Sequence, residues 1–156
     1  MVDFSRLLQK PAGEAKKPRA LPPGLYQGVI KGHKVDQRDI KGKPTPMFSF
    51  SLGLVAWPEG LDAEDQEGIE LRSRQQTKDY FINMKEDGSG EPTDDAFWPI
   101  DELCRSCGIE PGGRNYQEVL PELVGKMVTI DIKQAMTTGD VPQMVNRVGR
   151  VIGEEG

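Results

Sequence analysis

The chain has few of the residues that build metal centres, disulfide scaffolds and membrane spans. Only two of its 156 residues are cysteine and one is histidine, which is too few for a disulfide framework. No apolar run approaches the ~18 residues that a membrane-spanning helix needs, and residues 1–4 begin no apolar segment typical of secretory signals. We therefore expect a cytoplasmic protein with reduced thiols, no membrane partner and no cofactor.

Hydrophobic residues are also scarce, at 36% of the chain, and aromatic residues make up 6%. The 18 glycines and 12 prolines indicate long turns and flexible ends. A chain of this length can still build one domain around a single core.

The net charge of −5 conceals a segregation of the two signs along the chain. Residues 1–56 carry ten Lys or Arg against four acids, and residues 71–85 carry four against one. Residues 57–70 carry six acids and no base, and residues 86–125 carry ten acids against two bases. A polyanion responds to the local potential rather than to the net charge, so the basic segments favour a nucleic-acid partner. A solvated charge mosaic without a ligand is the alternative.

Five segments with the two-residue periodicity of strands surround two helical stripes. The strand segments are Leu25–Val35, Pro46–Ala56, Arg72–Asn83, Met127–Ala135 and Val141–Ile152, and the helical stripes are 97–108 and 115–124. This order predicts a mainly β fold, a five-stranded barrel with a helical insert between strands 3 and 4. Barrels of this kind commonly bind single-stranded nucleic acid or oligosaccharide on one face.

The predicted domain spans residues 24–152. It contains an acidic loop at 57–70 and the helical insert at 97–124. Residues 1–23 form a basic, proline-containing N-terminal arm, and residues 153–156 form a disordered tail.

The arm carries one short apolar pattern. Phe4, Leu7 and Leu8 have the spacing that places side chains on one side of a helix of about two turns. We expect this stripe to pack back onto its own domain; a second subunit or another protein is the alternative.

Two predicted strands carry side-chain patterns that bear on function. Phe48 and Phe50 alternate with small polar residues, which favours a place in the core; base stacking is the alternative. The third strand places three cations and one aromatic on a single parity: Arg72, Arg74, Lys78 and Tyr80. A basic stripe that ends in an aromatic ring can track a phosphate backbone and stack on a base. A solvated edge strand with Tyr80 buried at its end is the alternative.

Catalytic and metal chemistry is less well supported. Cys104 and Cys107 have the spacing of half a zinc site or of a redox dithiol. Both fall on the apolar stripe of the first predicted helix, and no second ligand pair exists, so we interpret them as core residues. Acidic pairs at 94–95 and 101–102 could serve a metal-dependent nuclease, but carboxylates that are neighbours in sequence do not converge on one ion.

Several segments together resemble one known family. They are Phe4–Leu8, Leu21–Ile30, the Gly42-Lys43 turn into Phe48–Phe50, Leu103–Ile109, Glu122–Lys126 and Asn146–Val148. These segments are similar to a bacteriophage-encoded family of single-stranded-DNA-binding proteins with an oligonucleotide-binding (OB-fold) barrel. The resemblance covers residues 24–56 and 97–150, and leaves the acidic loop and residues 84–96 unmatched.

The resemblance implies a non-catalytic protein that supports DNA replication or recombination. It would coat exposed strands independently of their sequence, in the cytoplasm of the host cell. Lysines and arginines would displace counterions from phosphates, and aromatic rings would stack on bases. The implied partners are single-stranded DNA, replication or recombination proteins, and a second copy of the chain, most simply in a dimer.

We expect the DNA to contact cations and aromatics of the first three strands, their loops and the last strand. They are Lys31, Lys34, Arg38, Lys41, Lys43, Trp57, Arg72, Arg74, Lys78, Tyr80, Arg147 and Arg150. Core packing is the alternative for Trp57.

The alternative function is a protein-interaction module of the same fold, such as a phage inhibitor of a host enzyme that acts through the acidic surface. A structure-specific nuclease and an oligosaccharide binder are further alternatives.

Overall fold

The computed structural model describes residues 2–13 and 19–154. The basic residues Lys16 and Lys17 of the arm and the last two residues of the tail lie outside this part, so the predictions made for them stay predictions. No helix within the described residues is long and apolar enough to cross a bilayer.

Five antiparallel strands form one sheet. In chain order they are β1 (Gly24–Ile40), β2 (Lys43–Ala56), β3 (Gln76–Phe81), β4 (Met127–Met136) and β5 (Met144–Gly153). The spatial order is β3-β2-β1-β4-β5, and every neighbouring pair is antiparallel. The prediction of a mainly β fold with five strands is confirmed.

Short helices occupy the connections. They are α1 (Phe4–Leu8), α2 (Ala63–Gln66), a 3₁₀ turn (Leu71–Ser73), α3 (Trp98–Ser106) and α4 (Tyr116–Leu123). The last two lie between β3 and β4, where the helical insert was predicted. Asn115 caps α4 through its side chain, which accepts a hydrogen bond from the Glu118 amide at 3.0 Å, as N-cap residues commonly do.

The sheet is open, because no strand pairing joins β3 to β5 in the described part of the chain. The two edges nevertheless lie side by side, since the Lys78 ammonium group on β3 donates a hydrogen bond to the Gly149 carbonyl on β5 at 2.8 Å. One side chain thus connects the two edge strands.

The hairpin between β1 and β2 is longer than predicted. Lys41 and Gly42 alone form the turn, with φ angles of 52° and 80°, as in the type I′ turn that suits a two-residue hairpin. Arg38 and Lys43 therefore lie on strands, whereas the sequence pattern indicated a basic loop. Gly42 and Pro44 suggested that loop. Proline is tolerated at position 44 because β2 pairs there with β1 alone, so its other edge needs no amide donor.

The third strand is shorter than predicted, and this changes the position of two arginines. Leu71 is buried at the start of the 3₁₀ turn, and the Ser73 hydroxyl donates to the Glu70 carbonyl at 2.7 Å. Arg72 lies within this turn and Arg74 ends it. The prediction that both lie on the strand with Lys78 is therefore wrong.

The core lies between one face of the sheet and the helices α3 and α4. Phe50 and Leu52 of β2 are buried there with Ile100 and Leu103 of α3. Cys104 and Cys107 are also buried and form no disulfide, which confirms the core interpretation of both thiols. Burial raises the pKa of Cys104 to about 11.

The arm does not pack as predicted. Asp3 caps α1, accepting a hydrogen bond from the Ser5 amide at 3.1 Å, yet Phe4, Leu7 and Leu8 remain between 55% and 85% exposed. The expectation that this stripe covers its own domain is wrong in this structure. Leu21 attaches the end of the arm to the sheet, since its backbone amide and carbonyl both bond to the Asn146 side chain, at 2.8 and 2.9 Å.

Candidate nucleic-acid interface

The strand register separates two faces of β1, β2 and β3. Lys34 lies opposite Ser49, which in turn lies opposite Asp79. Residues directly opposite each other in an antiparallel pair share a face. The face that carries these residues is called the outer face. It bears Lys34, Asp36 and Arg38 on β1, Met47, Ser49 and Ser51 on β2, and Thr77, Asp79 and Phe81 on β3.

Arg38 is the central cation of the outer face. Its guanidinium group lies 3.8 Å from the Asp79 carboxylate and 5.8 Å from the centroid of the Phe81 ring. Asp79 is itself fixed, because it accepts a hydrogen bond of 2.5 Å from the Ser49 hydroxyl, and Ser49 is only 3% exposed. This buried hydroxyl therefore orients a carboxylate, which in turn orients an exposed arginine.

Phe81 is the exposed aromatic of this face. Its side chain is 37% exposed, while Met47, directly opposite on β2, is buried. An aromatic ring beside an oriented guanidinium can stack on a base while the cation meets a phosphate. Phe81 is not among the predicted site residues, because the predicted basic stripe lies on the other parity of β3.

Lys78 and Tyr80 lie on the opposite face from Lys34, against expectation. Tyr80 is directly opposite Phe48 and packs edge-on against Phe50, with ring centroids 5.7 Å apart. Burial raises the pKa of the Tyr80 hydroxyl above its ordinary value, and the neighbouring Cys107 adds to the rise. The expectation that these two residues share one surface with Lys34 is therefore wrong, and burial of Tyr80, the alternative, fits the structure.

The remaining predicted cations of the first hairpin lie on or near the outer face. Lys31 is the extra residue at a register shift in β1, and its side chain covers Gly53 of β2. Lys34 is exposed and lies 3.7 Å from Asp36. Surface pairs of this kind contribute little, so both lysines stay available to an anion.

The tip of the hairpin forms one side of a cleft of about 840 Å³. Lys41 and Lys43 line it together with Lys85, and Lys43 lies 3.5 Å from Glu86. The facing loop is held closed by backbone hydrogen bonds, among them one of 2.9 Å from the Lys85 amide to the Glu91 carbonyl. Three lysines thus surround an opening next to the outer face.

Arg147 joins the same region from the other edge of the sheet. It lines a cleft of about 450 Å³ between β3 and β5, which Arg38, Thr77 and Phe81 also line. The gap between the two sheet edges therefore brings a cation of β5 close to the outer face.

Four predicted site residues lie elsewhere. Trp57 follows β2 and packs against Tyr26, with ring centroids 5.8 Å apart. It lies ten residues, about 30 Å of extended strand, beyond Met47 of the outer face. Arg72 and Arg74 lie in and after the 3₁₀ turn. The Arg74 charge partly offsets the burial that raises the pKa of Tyr26 to about 12. Arg150 lies beside α3.

No protein-family model and no curated protein matches the chain. No cluster of three or more His, Cys, Asp or Glu side chains within residues 2–13 and 19–154 has a geometry suited to a metal ion.

Proposed function

We propose that the chain is a non-catalytic protein that binds single-stranded DNA on its outer face, as members of the phage family that it resembles do. The open sheet is then an OB-fold barrel that is split between β3 and β5. Two observations support this fold: the order β3-β2-β1-β4-β5 and the hydrogen bond from Lys78 to Gly149 that joins the two edges. The helices between β3 and β4 occupy the place that the insert of such a barrel takes.

The observation that carries the function is the group formed by Arg38, Asp79, Ser49 and Phe81. Asp79 orients the guanidinium group but leaves more than half of the Arg38 side chain exposed. Lys31 and Lys34 extend the positive charge along β1, and the hairpin tip adds further lysines. An exposed ring with a cation beside it is the combination that proteins use to bind single strands.

In this proposal the lysines and arginines neutralise phosphates and release counterions, so binding weakens as salt rises. The Phe81 ring stacks on a base without reading its identity, because every base offers a π face. In a duplex the faces of the bases are stacked on neighbouring base pairs, so they are not accessible to such a ring. The protein would thus prefer single strands and protect them during replication or recombination.

A charge-matched pair of variants tests the site. Lys34→Gln with Arg38→Gln removes two positive charges from the outer face, and Arg72→Gln with Arg74→Gln removes two from the turn before β3. Fluorescence anisotropy with a labelled single strand of about 20 nucleotides measures both, a length that exceeds the ~4–16 nucleotides bound by one OB fold.

The outer-face variant should bind at least about tenfold more weakly than the unchanged protein, as expected for the loss of two phosphate contacts. The turn variant should change the affinity by less than about threefold. If both variants lose affinity equally, binding depends on the net charge of the protein and not on the outer face. If neither variant loses affinity, the DNA binds to another surface.

We also propose that the exposed stripe of α1 supports self-association. Phe4, Leu7 and Leu8 form an apolar surface that remains exposed in the described part of the chain, and clustered exposed apolar residues often mark contact sites. A dimer measured by sedimentation should weaken in the variant Leu7→Ser with Leu8→Ser. A monomeric parent protein, or a dimer that this variant leaves intact, would refute the role of the arm.

A further inference from the structure

The second tryptophan of the chain is exposed and is paired with a cation. Trp98 begins α3, and its side chain is 56% exposed. Arg105 lies two turns later on the same side of the helix, with its guanidinium carbon 5.7 Å from the centroid of the indole. Arg105 also lies 4.0 Å from Glu110, a separation at which an exposed ion pair holds the cation only weakly.

The end of β5 is docked against α3 beside this tryptophan. The Gly153 amide donates a hydrogen bond to the Ser106 hydroxyl at 2.8 Å. A Cβ atom at position 153 would collide with the Ser106 backbone, so glycine allows the close approach. The docking places Arg150 and Ile152 next to Trp98.

The result is a cleft of about 320 Å³ with a distinct chemistry. Trp98, Arg105, Ser106, Arg150 and Ile152 line it, with one acid, Glu102. An exposed indole offers a stacking surface, and two guanidinium groups outnumber the single carboxylate. A ligand that suits this cleft has a flat ring and a negative charge, as each unit of a nucleic-acid strand has.

The cleft is connected to the outer face along β5. Arg147 lines the gap between β3 and β5 together with Arg38 and Phe81, and Arg150 is three residues further along the same strand. At a rise of about 3.3 Å per residue, about 10 Å separates the two positions. The exposed arginines of this edge strand therefore link the two aromatic residues Phe81 and Trp98.

We infer that a single strand bound on the outer face continues along β5 and makes a second contact with Trp98, Arg105 and Arg150. This inference rests on the proposed function and extends its binding site to the helical insert. It commits to nucleic acid because Arg147 and Arg150 lie close together on β5, and the one acid beside Gly149 between them, Asp131, is paired with Lys133 at 3.8 Å. Phosphates of the strand would meet the guanidinium groups while one base stacks on the indole.

Tryptophan emission tests the inference, since the chain has two tryptophans. The variant Trp57→Phe leaves Trp98 as the sole emitter, and Trp98→Phe leaves Trp57. Each is titrated with a single strand of about 6 nucleotides and with one of about 20, lengths near the lower end of the ~4–16-nucleotide site of one OB fold and above its upper end. Anisotropy of labelled strands measures binding independently of either emission.

The longer strand should quench the emission of Trp98, while the shorter strand should leave it nearly unchanged at the same occupancy. Trp57 should respond to neither. Replacing both cations, Arg105→Gln with Arg150→Gln, should weaken binding of the longer strand at least about tenfold, as expected for the loss of two phosphate contacts. The affinity for the shorter strand should stay within about twofold.

Two outcomes would overturn the inference in different ways. If the longer strand binds by anisotropy but neither quenches Trp98 nor depends on the two arginines, the second contact does not exist and the proposed function stands. If neither strand binds, the proposed function fails and the second contact fails with it. Thermal melts of the double variant serve as a control that α3 is still folded.

Discussion

Neighbouring aromatics on β3 provide the sharpest test of the interface, because Tyr80 and Phe81 point to opposite faces. Phe81→Leu removes the ring from the outer face but keeps an apolar side chain over Met47. A base that stacks on an aromatic side chain gains ~1–3 kcal/mol. Since the Phe81 side chain is 37% exposed, we expect the lower part of this range, ~1–2 kcal/mol. That loss corresponds to binding weaker by about 5- to 30-fold.

The control is Tyr80→Phe, which keeps the packing against Phe50 and removes only the hydroxyl of a half-buried side chain. It should leave the affinity within about twofold, whatever it costs in stability. Both variants are measured by anisotropy at one salt concentration, and thermal melts check that each remains folded. If Phe81→Leu binds as well as the unchanged protein while Tyr80→Phe binds more weakly, the assignment of the outer face is wrong.

Three further predictions concern the fold. Gly28→Ala should destabilise the protein by about 1–3 kcal/mol in urea unfolding, because a Cβ atom would meet the Ile130 side chain and a carbonyl of β2. Gly32→Ala has open space around it and should change stability by less than about 1 kcal/mol; equal effects would contradict the close approach at Gly28. All three tyrosines have raised pKa values, with that of Tyr26 at about 12. The tyrosines' contribution to stability should therefore be constant well below pH 10 and be lost as pH rises from 10 through the folded-state values, because only the unfolded chain ionises its tyrosines at pH 10. The Cys104 thiol, whose pKa is raised from its ordinary 9.0 to about 11, adds a loss of stability that begins near pH 9. Absorbance of phenolate at pH 10.5 in a protein that is still folded would refute this. A thiol reagent at pH 8 should modify native Cys104 far more slowly than the unfolded chain, and equal rates would contradict its burial.

Local patterns were sufficient to predict the elements of the core. The alternation of Phe48 and Phe50 with serines predicted β2, and the spacing of Ile100, Leu103 and Cys104 predicted a helix with one buried side. Each pattern has a single period and involves residues that are close in sequence. It can therefore be recognised without knowing which strands pair.

The outer face could not be predicted in the same way. Which parity of β3 faces Lys34 depends on the register between β3 and β2, and a shift of one residue exchanges the two faces. Arg72 and Arg74 have the same parity as Lys78 but do not lie on the strand. With Leu71 buried, the chain forms a 3₁₀ turn just before β3. Phe81 follows Tyr80 directly, and only the paired strands distinguish the stacking ring from the buried one.

Salt dependence of single-strand binding tests the central claim most directly. If Lys31, Lys34, Arg38 and Arg147 each neutralise one phosphate, the slope of log affinity against log salt should be about −3, and a strand that also reaches Arg105 and Arg150 should give about −4. Affinity for a strand of about 20 nucleotides should be micromolar or tighter at 50 mM salt and fall by at least about 50-fold at 200 mM. Duplex of the same length should bind much more weakly. Absent binding, a slope near zero, or equal affinity for duplex would contradict the account.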